Sequence, residues 1–210
     1  DTDTAVRNIA GAFTFEDDGP NIDPSTATAP TLTVDDTTFA INASASFSGL
    51  FTSTFGNDGF KDTDDNDIQD ADAISYALNV SAPNVASGLT DTLTGDAVLL
   101  NKVGNDIIGT VNAGATEVFR ITVNANTGLV TLDQSRAVVH NDPADPIESG
   151  ASAAVLASAG LITLTATITD GDGDTDTAVR NIAGAFTFED DGPNIDPGTA
   201  TVPTLTVDDT

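Results

Sequence analysis

The sequence holds no cysteine, no methionine and no tryptophan, and its 210 residues include one tyrosine, one histidine and only six Lys and Arg together. Each absence closes a class. Without cysteine there is no disulfide framework, no thiolate metal site and no cysteine nucleophile, and the same lack suits a chain exported unfolded. With so few cations, nucleic acid and anionic membrane surfaces are poor partners. No apolar run approaches the ~20 residues that cross a bilayer, so no membrane insertion is expected. The opening DTDTAVRN has neither the basic region nor the apolar core of a signal peptide, so targeting information is expected elsewhere.

What is present is acid. Asp and Glu total 33, for a formal charge of -27, and self-repulsion on that scale calls for neutralisation. Glu occurs only at Glu16, Glu117, Glu148 and Glu189. The rest is Asp, which favours turns and chelates metal through a short, stiff side chain. Divalent cations are therefore the expected partners.

Residues 1–37 return almost unchanged at 174–210, differing only at Ser25/Gly198 and Ala29/Val202, with a constant offset of 173 residues. Near-identity at a fixed period marks a tandem array of like modules joined end to end, and identical neighbours in the same chain are the expected partners. The division expected is 1–15 as the final strand of a preceding repeat, 16–189 as one complete repeat, and 190–210 as linker and first strand of the next. Two copies of the last strand and two of the first are then present, and one sandwich holds one of each. The spare strands should hang loosely or exchange with a neighbouring molecule.

Alternating apolar positions predict strands through Leu32 and Val34, Ile74 to Val80, Phe119 to Val123, and Ile162 to Ile168. NANTG should close a hairpin between EVFRITV and LVTL, and DGDGDTD another between LITLTATI and AVRNIAGAFTF. In the latter strand the alternation slips at Ala183, Gly184 and Ala185, which predicts a β-bulge turning Phe186 and Phe188 inward. The upstream copy should turn Phe13 and Phe15 inward likewise. ASAAVLASA, 151–159, is the one helix candidate. Many short strands between Gly, Asn, Asp and Pro turns predict an all-β, immunoglobulin-like two-sheet β-sandwich.

Asp170, Asp172, Asp174 and Asp176 alternate in DGDGDTD, with glycines that let the chain curl its carboxylates toward one point. Hard oxygen donors in such a loop suit Ca2+, which takes about six to eight oxygens. A plain acidic turn is the alternative. Glu16, Asp17 and Asp18 precede Gly19-Pro20, and Glu189, Asp190 and Asp191 precede Gly192-Pro193, marking module boundaries. A strand running unbroken from Thr177 to Phe188 would span about 35–40 Å, so DGDGD and the following EDDGP should lie at opposite ends. The expectation is that Glu16, Asp17 and Asp18 meet Asp170, Asp172 and Asp174 around calcium, stiffening each junction. Asp62, Asp64, Asn66 and Asp70 have EF-hand spacing, but Asp67 replaces the glycine and Ala73 the bidentate Glu, leaving a weak site or a solvated loop.

TATITDGDGDTDTA, FTFEDDGP, TLTVDD, YALNV, SGLTDTLTG, VFRITVNANTGLVTL and AVVH together resemble the repeat units of type I secreted RTX adhesins of Gram-negative bacteria. The resemblance covers residues 16–189. It implies an extracellular, calcium-dependent, immunoglobulin-like extender domain on the bacterial surface, repeated many times to project a ligand-binding tip for attachment and biofilm formation. It also implies a calcium role for Asp170, Asp172, Asp174 and the EDDGP acids. The stretch KDTDDNDIQDADA departs from that pattern.

The competing reading is a calcium-dependent ligand- or carbohydrate-binding module of such an adhesin. Sugar platforms stack aromatic rings, and Tyr76 alone is on offer, in a core-like alternation. No enzyme is expected. Abundant carboxylates make any acid–base pair meaningless, His140 has no nucleophile partner nearby and suits a surface or turn-capping role, and GxSxG, HExxH and P-loop patterns are absent.

Overall fold

The computed structural model describes residues 1–140, 142, 145, 149–190, 192, 198, 199 and 201–209. The strands are β1 (Asn21–Pro24), β2 (Leu32–Asp35), β3 (Ala43–Ser46), β4 (Phe51–Thr54), β5 (Ile74–Val80), β6 (Val85–Thr90) and β7 (Ala97–Val103). They continue with β8 (Asp106–Val111), β9 (Thr116–Val123), β10 (Leu129–Gln134), β11 (Ala154–Val155), β12 (Ile162–Thr169), β13 (Thr175–Asn181) and β14 (Phe186–Glu189). The protein is all-β, and its sheets pack as a sandwich.

One layer is a six-stranded sheet in the order β3-β10-β9-β8-β7-β6. Facing it are two three-stranded sheets, β13-β12-β5 and β11-β14-β2, and a small β1-β4 sheet borders β13. The facing layer is thus assembled from pieces, where the sequence suggested one sheet. Strand periodicity sets the core. In β12 the residues Ile162, Leu164, Ala166 and Ile168 are fully buried and the intervening threonines are half-exposed, as a sheet with one inner face requires. Phe119 of β9 meets Phe188 of β14 across the layers with ring centroids 5.1 Å apart.

Both expected hairpins form. β9 and β10 pair around the NANTG reversal, where Asn124 Oδ1 accepts from the amides of Asn126 and Thr127, and Gly128 takes φ +66°. β12 and β13 pair from Thr163↔Asn181 to Thr169↔Thr175, leaving Asp170–Asp174 as the connection.

Three local expectations are corrected. Residues 151–159 form no helix: a 3-10 turn at Gly150–Ser152 leads into β11, whose residues pair with β14. A nine-residue run stabilises a helix too weakly to resist that pairing. Ala183–Ala185 is a 3-10 turn and not a bulge. It breaks the long strand in two, with β13 held by β12 and β14 held antiparallel by β11 and parallel by β2. Phe186 and Phe188 do point inward, both fully buried. In the upstream copy the same AGA turn recurs at Ala10–Ala12, but Phe13 and Phe15 are 63% and 94% exposed, because no neighbouring strand receives them. The copy inside the sheets is 175–189, and residues 1–19 are exposed throughout.

Candidate metal centre

Asp170 follows β12 directly and is 1% exposed. Its Oδ1 accepts from the amides of Gly173 at 3.0 Å and Asp174 at 2.8 Å, and its own amide donates to the Asp174 carbonyl at 3.1 Å. One carboxylate oxygen therefore builds the loop. Two glycines make the turn possible. A Cβ on Gly171 would sit 2.3 Å from the Asp58 carbonyl oxygen, and Gly173 adopts φ +103°, a conformation costly for any other residue.

The second oxygen of Asp170 is buried without a hydrogen-bond partner among the described residues. An orphaned carboxylate oxygen is expensive to keep. Around it the acid density is high. The loop's Asp172 and Asp174 meet Asp17 from the leading linker, with one carboxylate oxygen from each lying within 4.8 Å of the other two. Asp172 is held above the ordinary carboxylate range, first by the adjoining Asp170 carboxylate, then by desolvation, then by Asp17. Asp174 is also raised, first by the Asp17 carboxylate and then by Asp172. Like charges gathered this closely resist ionising together. A cation relieves the strain on all of them at once.

The other acids of this end divide by role. Asp18 Oδ2 accepts from the Asn57 amide and side chain at 3.1 and 2.9 Å, so it pins the linker beside the 55–58 loop. Its backbone oxygen would lie 2.4 Å from a Cβ on Gly56. Asp176 accepts from the Ile22 amide at 2.9 Å and from that of Thr177 at 2.8 Å, bonds that lower its pKa. It anchors the start of β1 and does not join the trio. Glu16 is exposed and outside the trio as well.

At the opposite end Glu189 closes β14 beside Asp35 of β2 and accepts from the Gly150 amide at 3.0 Å. Asp190 gathers with Asp36 and His140, again with ligating atoms within 4.8 Å. Asp191 lies outside the described residues. Sequence reasoning named Asp190 among the EDDGP acids but not Asp36 and His140 as its neighbours, because the three come from distant segments.

In the KDTDDNDIQDADA loop Asp62, Asp64 and Asp70 also converge within 4.8 Å. Most of that acid has local work. Asp62 accepts from the amides of Asn66 and Asp67, and Asp70 accepts from the amide and hydroxyl of Thr63 at 3.0 and 2.6 Å. Asn66 Oδ1 accepts from the Ile68 amide at 2.8 Å. Tyr76, 7% exposed, packs against Phe51 and offers no open ring face.

The donor set at Asp17, Asp172 and Asp174 is entirely carboxylate, and the Asp170 carboxylate adjoins Asp172 without joining the trio. That fits a hard divalent cation of calcium's type, and the orphaned oxygen supplies a reason for one to bind. A family model described as "Domain of unknown function (DUF5801)" matches residues 31–183. No curated protein and no solved structure matches the chain.

Proposed function

The chain belongs to the DUF5801 family, and from that premise we propose that it is a spacer repeat of a bacterial surface adhesin, stiffened by calcium where one repeat joins the next. The observation that carries the reading is the meeting of a linker carboxylate, Asp17, with the body carboxylates Asp172 and Asp174 beside the orphaned oxygen of Asp170. Without a cation these groups repel, and the hydrogen bonds of Asp18 to Asn57 hold the linker against that repulsion. With one, linker and body become a single unit.

The near-identical segments at 1–37 and 174–210 support an array of such units, and the resemblance of the ordered motifs to RTX adhesin extender repeats supports a place outside the cell. An array of stiffened modules would hold a distant adhesive tip away from the surface. Asp170, Asp172, Asp174 and Asp17 would hold the ion, and Asp18 and Asp176 would hold the linker and β1 in place.

The test is thermal unfolding in calcium and in chelator. At calcium concentrations near a hundredfold over Kd, linkage supplies about 2.7 kcal/mol per site, which for a chain of this size raises Tm by roughly 5–10 °C. Small-angle scattering on two consecutive repeats should show a longer, narrower particle in calcium than in chelator. Equal Tm and equal dimensions in both buffers would end the proposal.

A further inference from the structure

Loops from distant parts of the chain meet at the end of the body where β14 finishes. The 36–42 loop starts there, with the Asp36 amide donating to the Glu189 carbonyl at 3.3 Å. The turn after β6 is tied to the 135–139 segment, the Thr92 amide donating to the Ala137 carbonyl at 3.1 Å and the Val139 amide to the Thr90 carbonyl at 2.7 Å. Between these segments lies a cavity of about 340 Å³ lined by Phe39, Leu93 and Ala137, with the Asp91–Arg136 ion pair fixing its wall. Its apolar groups stand in water: Phe39 is 41% exposed and Leu93 81%, and Ile41 on the same loop as Phe39 is 69% exposed. Clustered apolar exposure of this kind marks a surface that meets another molecule or module.

We propose that this hollow is a docking surface for the leading end of the following repeat, so that consecutive bodies touch through apolar side chains as well as through their linker. The inference rests on the array in the reading above and is independent of its calcium. The chain between bodies is too short to hold them apart. Glu189 ends β14, and five residues later Asn194 is the counterpart of Asn21, the first residue of β1, at the repeat offset of 173. Five residues reach at most about 18 Å when fully extended. Because β1 starts at the leading end, where the Ile22 amide donates to the Asp176 carboxylate at 2.9 Å, the next leading end falls within that reach of the hollow's rim. What it offers is the 55–60 loop. Phe55 and Phe60 pack edge-on with ring centroids 6.2 Å apart and stay half-exposed, and the loop is bonded to the linker through Asn57 and Asp18. The linker itself therefore carries the counterpart of this loop to the junction. Seating it against Phe39 and Leu93 withdraws apolar surface from water on both sides.

The chain has no cysteine, so one introduced thiol reports on this surface without background. Thr92 is exposed in the wall of the hollow. Thr92→Cys is placed in the first or the second period of a chain carrying two full periods, and in the single-period chain, and thiol labelling is timed in calcium and in chelator. The first-period thiol should label about tenfold more slowly than the other two in both buffers, as a docked surface must open before it reacts. Adding Phe39→Ser and Leu93→Ser to the first period should restore fast labelling, and the single-period chain with that pair should still unfold cooperatively. Equal labelling of the two periods in both buffers overturns the docking and leaves calcium binding standing. Slow labelling in calcium alone overturns it too, because the cation and not the apolar contact then holds the ends together. Slow first-period labelling in a protein whose Tm ignores calcium supports the docking and ends the calcium reading.

Discussion

At the scale of single residues, Asp170 combines two demands in one side chain. Oδ1 is committed to two backbone amides, and Oδ2 is buried with no partner among the described residues. Asp170→Asn keeps the loop-building acceptor and removes the ligand charge. Its Tm in chelator should stay close to that of the native protein, while calcium affinity falls by about tenfold or more; calorimetry and melting curves separate the two effects. Asp91 carries a different kind of charge. It is fully buried, takes both guanidinium bonds of Arg136 at 2.7 Å and accepts from the Thr94 amide and hydroxyl at 2.8 Å. The Arg136 bonds, with those of Thr94, outweigh burial and lower its pKa from 3.8 to about 2. Because the folded value is depressed, the stabilisation is present above pH 3.8 and is lost as pH falls through about 2. Asp91→Asn should flatten the acid limb of a stability–pH curve in that window. Asp91→Ala should cost roughly 2–3 kcal/mol at neutral pH by urea unfolding, less than a wholly buried pair because Arg136 reaches solvent.

At the scale of elements, the run from Thr175 to Glu189 illustrates how a strand changes sheets. Seven residues pair with β12, the AGA turn redirects the chain, and four more residues enter the sheet of β2 and β11. Ala183 and Ala185, 0% and 4% exposed, leave no room at the corner for larger side chains. What the redirected strand delivers is Phe188, which meets Phe119. The ring of Phe119 in turn lies over Gly109 of the neighbouring strand, where a Cβ would fall 2.4 Å from the ring's Cε1. That ring is fully buried and has nowhere to move. Gly109→Ala should therefore destabilise by about 1–3 kcal/mol through overpacking, read as a lower urea midpoint with an unchanged slope.

At the scale of the whole molecule, the same sequence has two fates. Residues 174–188 build β13 and β14, while 1–15 expose Val6, Ile9, Phe13 and Phe15. Likewise Leu32 and Val34 are buried in β2, whereas their counterparts Leu205 and Val207 are over 90% exposed. Removing residues 1–15 should leave Tm unchanged, and removing 175–189 should abolish cooperative unfolding. A folded product from the second deletion would mean that the upstream copy can take the vacant place. The charge of -27 acts at this scale too, since its repulsion is spread over the molecule while its relief is concentrated where carboxylates converge.

Periodicity made β2, β5, β9 and β12 legible, because alternation is a property of the chain and one inner face is all that a sandwich strand requires. The turn chemistry of NANTG and DGDGD was equally local, and so the two hairpins that they close followed from the sequence. The AGA turn is the clearest case. It forms in both copies, since five or six residues decide it, whereas the burial of the phenylalanines after it differs completely between them. Burial depends on what stands opposite, and only the assembled sheets supply β2 and β11 to receive Phe186 and Phe188. For the same reason Ala154 and Val155 of the 151–159 run became an edge strand, Asp176 became an anchor for β1, and Asp36 and His140 came together with Asp190 from segments far apart in the chain. Short-range order was the chain's own; which acids share a space, and which of two identical segments has a core to enter, was decided by long-range pairing.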